Sequence, residues 1–318
     1  MATYELGSKL GEGAMGVVYH ALQRPLEREV AVKFMHVSAE GDPELVRRFR
    51  REIEACVRLS HPNIIKIYDA GEMDGKIFLA MEYLSRALPL EEVIKREGPL
   101  ELSRSLHILN QVLDALEYCH SLGMVHRDIK PANIMVSPGD EVTVMDFGLV
   151  RQDGASLLTG EGRAMGSPCY MAPEAFMDSG QGPSVDLWAV GAVFYEMLAR
   201  RKAFTSSNLP AIVEMILSQE PLSLSEIRPD LPPSLDGFLR RFLAKDPKRR
   251  VSCAREALEL TRETCEDLAI PCTLETPRSK PAKAGFVPAQ KPGKAIPVLG
   301  SLAVLSLDRK STRLNSSH

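Results

Sequence analysis

Gly11-Glu12-Gly13-Ala14-Met15-Gly16-Val17-Val18 carries the G-x-G-x-x-G spacing, which two unrelated phosphate-binding designs share. In a dinucleotide-binding turn a helix follows the third glycine. Here Val17, Val18 and Tyr19 follow, a β-branched and aromatic run that continues as a strand, so the glycines form the bend of a hairpin. Working outward, apolar and polar positions alternate over 4–10, 17–22 and 30–34, which predicts a small antiparallel sheet. Asp42 as N-cap and Pro43 at the first helical position open a helix with Leu45, Phe49, Ile53, Cys56 and Val57 on one apolar face, ending near Ser60. Strands fit 64–69 and 77–82, and helical periodicity dominates from Leu90 to Leu268. The expected class is α+β: an antiparallel-sheet lobe with one main helix, then a larger, mainly helical lobe.

Composition agrees with a folded protein. Of 318 residues, 44% are hydrophobic and 25% charged, which excludes wholesale disorder and an all-membrane chain. The opening residues lack the charged, apolar and small-residue series of a secretory signal, so the folded body is expected in the cytoplasm. Six cysteines contain no C-x-x-C pair, which points to reduced thiols rather than a zinc ribbon or disulfide framework. Net charge is −3, and the basic groups Arg278, Lys280, Lys283, Lys291 and Lys294 crowd a stretch whose one acid is Glu275. The remaining body is acidic, which argues against nucleic acid as a partner.

Val30-Ala31-Val32-Lys33 places an amine on the strand after the hairpin, and Glu52 lies on the first helix. A lysine preceded by three apolar residues points into a cleft, where a carboxylate must compensate its desolvation. Glu52 is the expected partner.

His126-Arg127-Asp128-Ile129-Lys130-Pro131-Ala132-Asn133 and Asp146-Phe147-Gly148 follow in order. With the hairpin and Lys33 they resemble the signature set of eukaryotic-type protein kinases, over about residues 4–268. The resemblance implies a two-lobed kinase domain over 1–270, with an N-lobe at 1–81, a hinge at 82–85 and a C-lobe at 86–270. It implies ATP with two magnesium ions, held by Asn133 and Asp146. Asp128 would accept the proton of the attacking hydroxyl, and Lys130 would steady the transferring phosphate. Leu10 and the hairpin Gly11, Glu12, Gly13, Ala14, Met15 and Gly16 would cover the nucleotide, while Lys33, fixed by Glu52, grips its phosphates. Val18 and Ala31 would sandwich adenine, Glu82 and Leu84 would bind its edge through their backbone, and Met81 would be the gatekeeper. Lys130, two residues after Asp128, resembles the branch specific for Ser and Thr.

Gly166-Ser167-Pro168-Cys169-Tyr170-Met171-Ala172-Pro173-Glu174 resembles the substrate-docking loop and A-P-E box, with Ser167 where Thr is commoner. Glu174 is expected to pair with Arg250 of the run Lys245-Asp246-Pro247-Lys248-Arg249-Arg250, whose Lys245, Lys248 and Arg249 read as solvated. Asp186-Leu187-Trp188 resembles the buried helix that anchors the catalytic loop. The wording of the glycine hairpin, Arg51-Glu52-Ile53, and His61-Pro62-Asn63-Ile64-Ile65 is similar to bacterial Ser/Thr kinases of the membrane-anchored signalling type. Arg127 beside Asp128 is a cation suited to a phosphate, so autophosphorylation in trans within a homodimer is expected at Ser156 or Thr159. A pseudokinase or ATP-sensing scaffold would show a lesion at Lys33, Asp128, Asn133 or Asp146. None is present.

Beyond the kinase-like region, six prolines and four lysines over 271–297 read as an extended linker, assigned to 271–294. Residues 295–307 are uncharged and follow basic groups as the positive-inside rule expects, so they read as the start of a transmembrane helix cut short. The last eleven residues, DRKSTRLNSSH, resemble a translated sequencing adapter and are read as an artefact.

Overall fold

A computed structural model of the chain describes residues 3–13, 16–38, 43–147, 168–177 and 182–271. Ala14, Met15, Asp42, Ser156, Thr159, Ser167 and everything after Pro271 lie outside the described residues, and so do the expectations placed on them.

Five antiparallel strands open the fold: β1 (Thr3–Gly13), β2 (Gly16–Arg24), β3 (Arg28–Ser38), β4 (Ile67–Met73) and β5 (Lys76–Glu82), in the spatial order β1-β2-β3-β5-β4. Gly13 pairs with Gly16 and β2 starts at Gly16, so the glycine segment is a hairpin. Gly16 is required by close approach: a Cβ there would lie 2.1 Å from the Phe34 carbonyl oxygen. Gly11 and Gly13 have open space where a side chain would go, which leaves their backbone approachable.

The pleat divides the sheet into two faces. Ala31, Met35, Ile77, Leu79 and Met81 pack with helix α1 (Pro43–Val57) and the second lobe in one continuous core. Tyr4, Ala21, Val30, Val32, Phe78 and Ala80 form a separate cluster on the opposite face. Among the described side chains of α1, Val46, Ile53 and Cys56 are buried, while Val57, expected on the apolar face, is exposed at the last residue of the helix; the side chains of Leu45 and Phe49 lie outside the described residues. The strand expected from residue 64 begins at Ile67. Ile64 instead bridges Val144 in parallel, and the Ile65 N–H donates to the Val144 carbonyl at 3.0 Å, so this apolar pair belongs to the lobe junction.

The second lobe is built around α4 (Ser184–Ala199), which is buried on nearly every side and lacks a polar face for that reason. Gly191 lets the helix α7 (Ser234–Phe242) come close, since a Cβ at that position would meet the Phe242 Cβ at 2.5 Å. Helix α3 (Leu102–Ser121) packs against α4 and against α8 (Ala254–Asp267). A small three-stranded sheet, β6 (Leu88–Pro89), β7 (Ile134–Val136) and β8 (Val142–Val144), with Ile134 opposite Val144, meets α3 through β8. That hairpin positions the site. Residues 126–133 lead into β7 and residues 145–147 leave β8, so the two segments emerge side by side. Among the described residues no helix is long and apolar enough to cross a membrane.

Candidate active site

The loop before β7 is held from below by Asp186, in the first turn of α4 and 1% exposed. Its Oδ2 accepts from the His126 N–H at 2.8 Å and its Oδ1 from the Arg127 N–H at 2.7 Å, while the His120 ring bonds Oδ2 at 2.8 Å. A buried carboxylate with three donors is satisfied, and it fixes the loop backbone against the most rigid helix of the fold. Arg127 takes a left-handed φ of 66°, a conformation that persists only where the surroundings over-determine it. His126 ties this loop to the next segment. Its Nδ1 accepts from the Asp128 N–H at 3.2 Å, which leaves the proton on Nε2, and Nε2 donates to the Met145 carbonyl at 2.8 Å. The same ring lies 4.4 Å from that of Phe147.

Three side chains converge at the top of the loop. Lys130 Nζ donates to Asp128 Oδ2 at 2.7 Å, and Asn133 Nδ2 donates to the same oxygen at 2.9 Å and to the Asp128 carbonyl at 2.8 Å. Asp128 is thus oriented by an amide and faced by an ammonium. Because both Asn133 bonds use its NH2 group, its side-chain oxygen is turned the other way as a neutral hard acceptor. The Met145 N–H donates to the Asn133 carbonyl at 2.8 Å, which brings Asp146 beside Asn133. Asp146 also has a left-handed φ, 57°, and its carboxylate reaches across to the upper lobe.

There Lys33, 6% exposed on β3, donates from Nζ to both Asp146 oxygens at 2.7 Å. This corrects the expected Lys33–Glu52 pair. The buried ammonium takes the carboxylate that the strained turn at Asp146 aims at it, whereas Glu52 sits half-buried on α1 with interactions of its own. Val18 lies opposite Lys33 and Ala31 opposite Met81 in the strand register, so the expected roof residues share one sheet face with the amine. Leu10 is 45% exposed at the mouth of the hairpin. Met81 is 3% exposed and separates this roof from an apolar cavity lined by Cys56, Ile64, Leu79 and Phe147. Burial pushes the Cys56 thiol up to about 12, with the Glu52 and Asp146 charges adding to it, so it stays a neutral donor to the Phe147 carbonyl at 3.4 Å.

The docking segment is fixed from two sides. Arg250 and Glu174 form a buried two-bond pair at 2.6 and 2.7 Å, as the sequence reading expects. Tyr170, which lines a shallow cavity with Asp128 and Lys130, donates its hydroxyl to Glu196 of α4 at 2.6 Å. Burial raises the Glu196 carboxyl above its usual range. The motifs do not signal this second pair, because Glu196 lies inside a run that reads as buried helix. Lys245 is half-buried rather than fully solvated. Its Nζ sits 4.3 Å from the ring centre of Phe204 and 5.0 Å from that of Trp188, a cation held over aromatic faces. Both rings belong to elements distant in sequence.

A family model described as "Protein kinase domain" matches residues 4–261. The chain belongs to the protein kinase family. Curated relatives include a probable serine/threonine-protein kinase, SCO3848, of Streptomyces coelicolor, 36% identical over 83% of this chain and 40% of that protein. They also include the serine/threonine-protein kinase pkn3 of Myxococcus xanthus, 37% identical over 79% and 48%, and PrkC of Bacillus subtilis, 34% identical over 80% and 39%. This kinase-family chain spans less than half the length of these relatives. The solved PknI kinase domain of Mycobacterium tuberculosis matches it with a TM-score of 0.68 at 30% identity, covering 83% of this chain and 96% of that one. The two-lobed protein kinase fold and the bacterial Ser/Thr branch read from the motifs are thereby shown.

Proposed function

We propose that the chain transfers the γ-phosphoryl group of ATP to Ser and Thr hydroxyls of proteins in bacterial signalling. The carrying observation is the convergence of Asp128, Lys130 and Asn133 with Asp146 and Lys33, five side chains from both lobes around one cleft. Asp128 is oriented to take the proton of the attacking hydroxyl as its oxygen forms a bond to phosphorus and the bond to the ADP oxygen breaks. Lys130 beside it offsets charge on the moving phosphoryl group. Lys33 supplies an amine to the nucleotide phosphates, and the open backbone at Gly11 and Gly13 supplies N–H donors above them. The Asn133 amide oxygen and the Asp146 carboxylate are hard oxygen donors brought together by a backbone bond, which suits magnesium, with two ions expected. Bound there, magnesium would supply positive charge against the phosphate oxygens.

The same reading extends to control. Autophosphorylation in trans at Ser156 or Thr159, within a homodimer, would set a phosphate against Arg127, which is exposed beside Asp128. Residues 295–307 are proposed as part of a membrane anchor, tested by sedimentation with anionic vesicles. For the activity itself, the chain is incubated with γ-labelled ATP, magnesium and a generic protein substrate. Label on phosphoserine and phosphothreonine supports the reading, and nucleotide binding without transfer favours the ATP-sensing scaffold.

A further inference from the structure

His20 belongs to none of the kinase motifs, yet it stands on the cleft side of the sheet. In the β2–β3 register His20 lies opposite Ala31 and Val18 opposite Lys33, and directly opposed residues of an antiparallel pair share a face. His20 therefore continues the roof outward from Val18 and Ala31, toward the chain segment that joins the lobes. Its ring meets that segment. The His20 and Tyr83 ring centres are 4.6 Å apart at an interplanar angle of 60°, an edge-to-face contact. On the other side, His20 Nε2 bonds Glu29 Oε1 at 3.0 Å, the diagonal neighbour on β3, so the ring has one orientation. Three stretches meet at a side chain 26% exposed: β2, β3 and the joining segment between Glu82 and Leu84.

We propose that His20 is a positioning residue for nucleotide binding: packed on Tyr83 and held by Glu29, it braces the roof of the cleft against the segment that joins the lobes. The inference rests on the ATP-site reading above. A base held between Val18 and Ala31 and bonded to the backbone at Glu82 and Leu84 needs the roof and the joining segment at one fixed angle. Without the brace that angle is free in the empty protein, and binding must suppress the freedom at a cost in affinity. The groups that carry out the transfer, Asp128 and Lys130, are held by α4 and Asn133 and do not depend on His20. The brace thus acts on affinity and leaves the chemical step alone.

The test measures equilibrium binding of magnesium-ADP and the ATP dependence of phosphoryl transfer in the full 318-residue chain. His20→Leu and Tyr83→Leu are each expected to weaken nucleotide binding about fivefold, the scale of one lost aromatic contact. The double variant should lose no more than either single one, because both remove the same contact. His20→Phe, which keeps the ring on Tyr83 and loses only the bond to the exposed Glu29, should bind within about twofold of the wild type, whereas His20→Gln, which keeps a polar group toward Glu29 and loses the ring, should bind like His20→Leu. In His20→Leu the KM for ATP rises while the rate at saturating ATP stays within about twofold of the wild type. Unchanged binding in His20→Leu, effects that multiply to about 25-fold in the double variant, or failure of His20→Phe to restore affinity overturns the brace. Failure of the wild type to bind nucleotide would instead sink the ATP-site reading, so the two failures are distinguishable.

Discussion

Lys33 and Asp146, 113 residues apart in sequence, are joined by two hydrogen bonds of 2.7 Å from one ammonium to both oxygens of one carboxylate. The pair crosses the cleft between the sheet lobe and the helical lobe, and each member offsets the burial of the other's charge. Burying either alone would be costly. Lys33→Met is expected to lower phosphoryl transfer by at least about 100-fold, the scale for removing one charge-stabilising group. Lys33→Arg should not restore it, since a planar fork cannot occupy the place of a point charge. Steady-state transfer rates at saturating ATP check both, and a Lys33→Met rate within a few-fold of the wild type would remove Lys33 from the mechanism.

Arg250 and Glu174 form the most deeply buried Lys/Arg–carboxylate pair among the described residues. The guanidinium also donates to the carbonyls of Ala244, Ser184 and Lys245, so truncating it leaves Glu174 and three carbonyls short of partners. Arg250→Ala should cost roughly 3–5 kcal/mol of folding stability. Urea denaturation measures it, and a loss under 1 kcal/mol would contradict the burial described for this pair.

Lys245 offers a pH dependence with a definite sign. Burial pushes its ammonium down to about 8, with Arg250 adding to the effect, so folding opposes its charged form. Between about pH 8 and the ordinary lysine value near 10.4, the unfolded chain binds more protons at this position than the folded one. The stability of the wild type relative to Lys245→Met should therefore rise as pH increases through that window, and be flat below it. Paired melting curves at pH 7, 8, 9 and 10 read this difference. A relative stability that falls across the window would refute it.

Cysteine reactivity follows burial. Cys253 is exposed at the start of α8, whereas Cys56 and Cys119 are buried and held above the usual thiol range chiefly by desolvation. Timed alkylation at pH 8 followed by mass spectrometry should, among the described cysteines, label Cys253 first and leave Cys56 and Cys119 unmodified until the protein unfolds. Labelling of Cys56 at the Cys253 rate would show that the cavity behind Met81 is open.

The residues that meet in the cleft lie in short local motifs, the glycine hairpin, Asp128 to Asn133, and Asp146, and the roles expected of them come from the resemblance of those motifs to the protein kinase signature set. What was not legible depends on tertiary partners. Ile64 and Ile65 are β-branched and read as strand, but the Ile64 N–H donates to the His61 carbonyl and the Ile65 N–H to the Val144 carbonyl across the lobe junction. Lys245 sits in a run of charges that looks solvated, and only the folded chain brings Trp188 and Phe204 under it. Lys33 plainly needed a carboxylate. Which one depended on the left-handed turn at Asp146, a conformation that aspartate tolerates but that does not by itself name a partner across the cleft.

Asp128→Asn tests the central claim most directly, because it replaces one carboxylate oxygen by an amide nitrogen at the group assigned to take the hydroxyl proton and leaves Lys33, Asp146 and the glycine hairpin unchanged. Magnesium-ATP binding by calorimetry and phosphoryl transfer to a protein substrate are measured on the same preparation. The expected result is binding within a few-fold of the wild type and a turnover lower by roughly 100- to 10,000-fold, the range for loss of a positioned general base. Turnover that survives the substitution, or binding lost with the fold intact, would contradict the assignment of this cleft as a phosphoryl-transfer site with Asp128 at its centre.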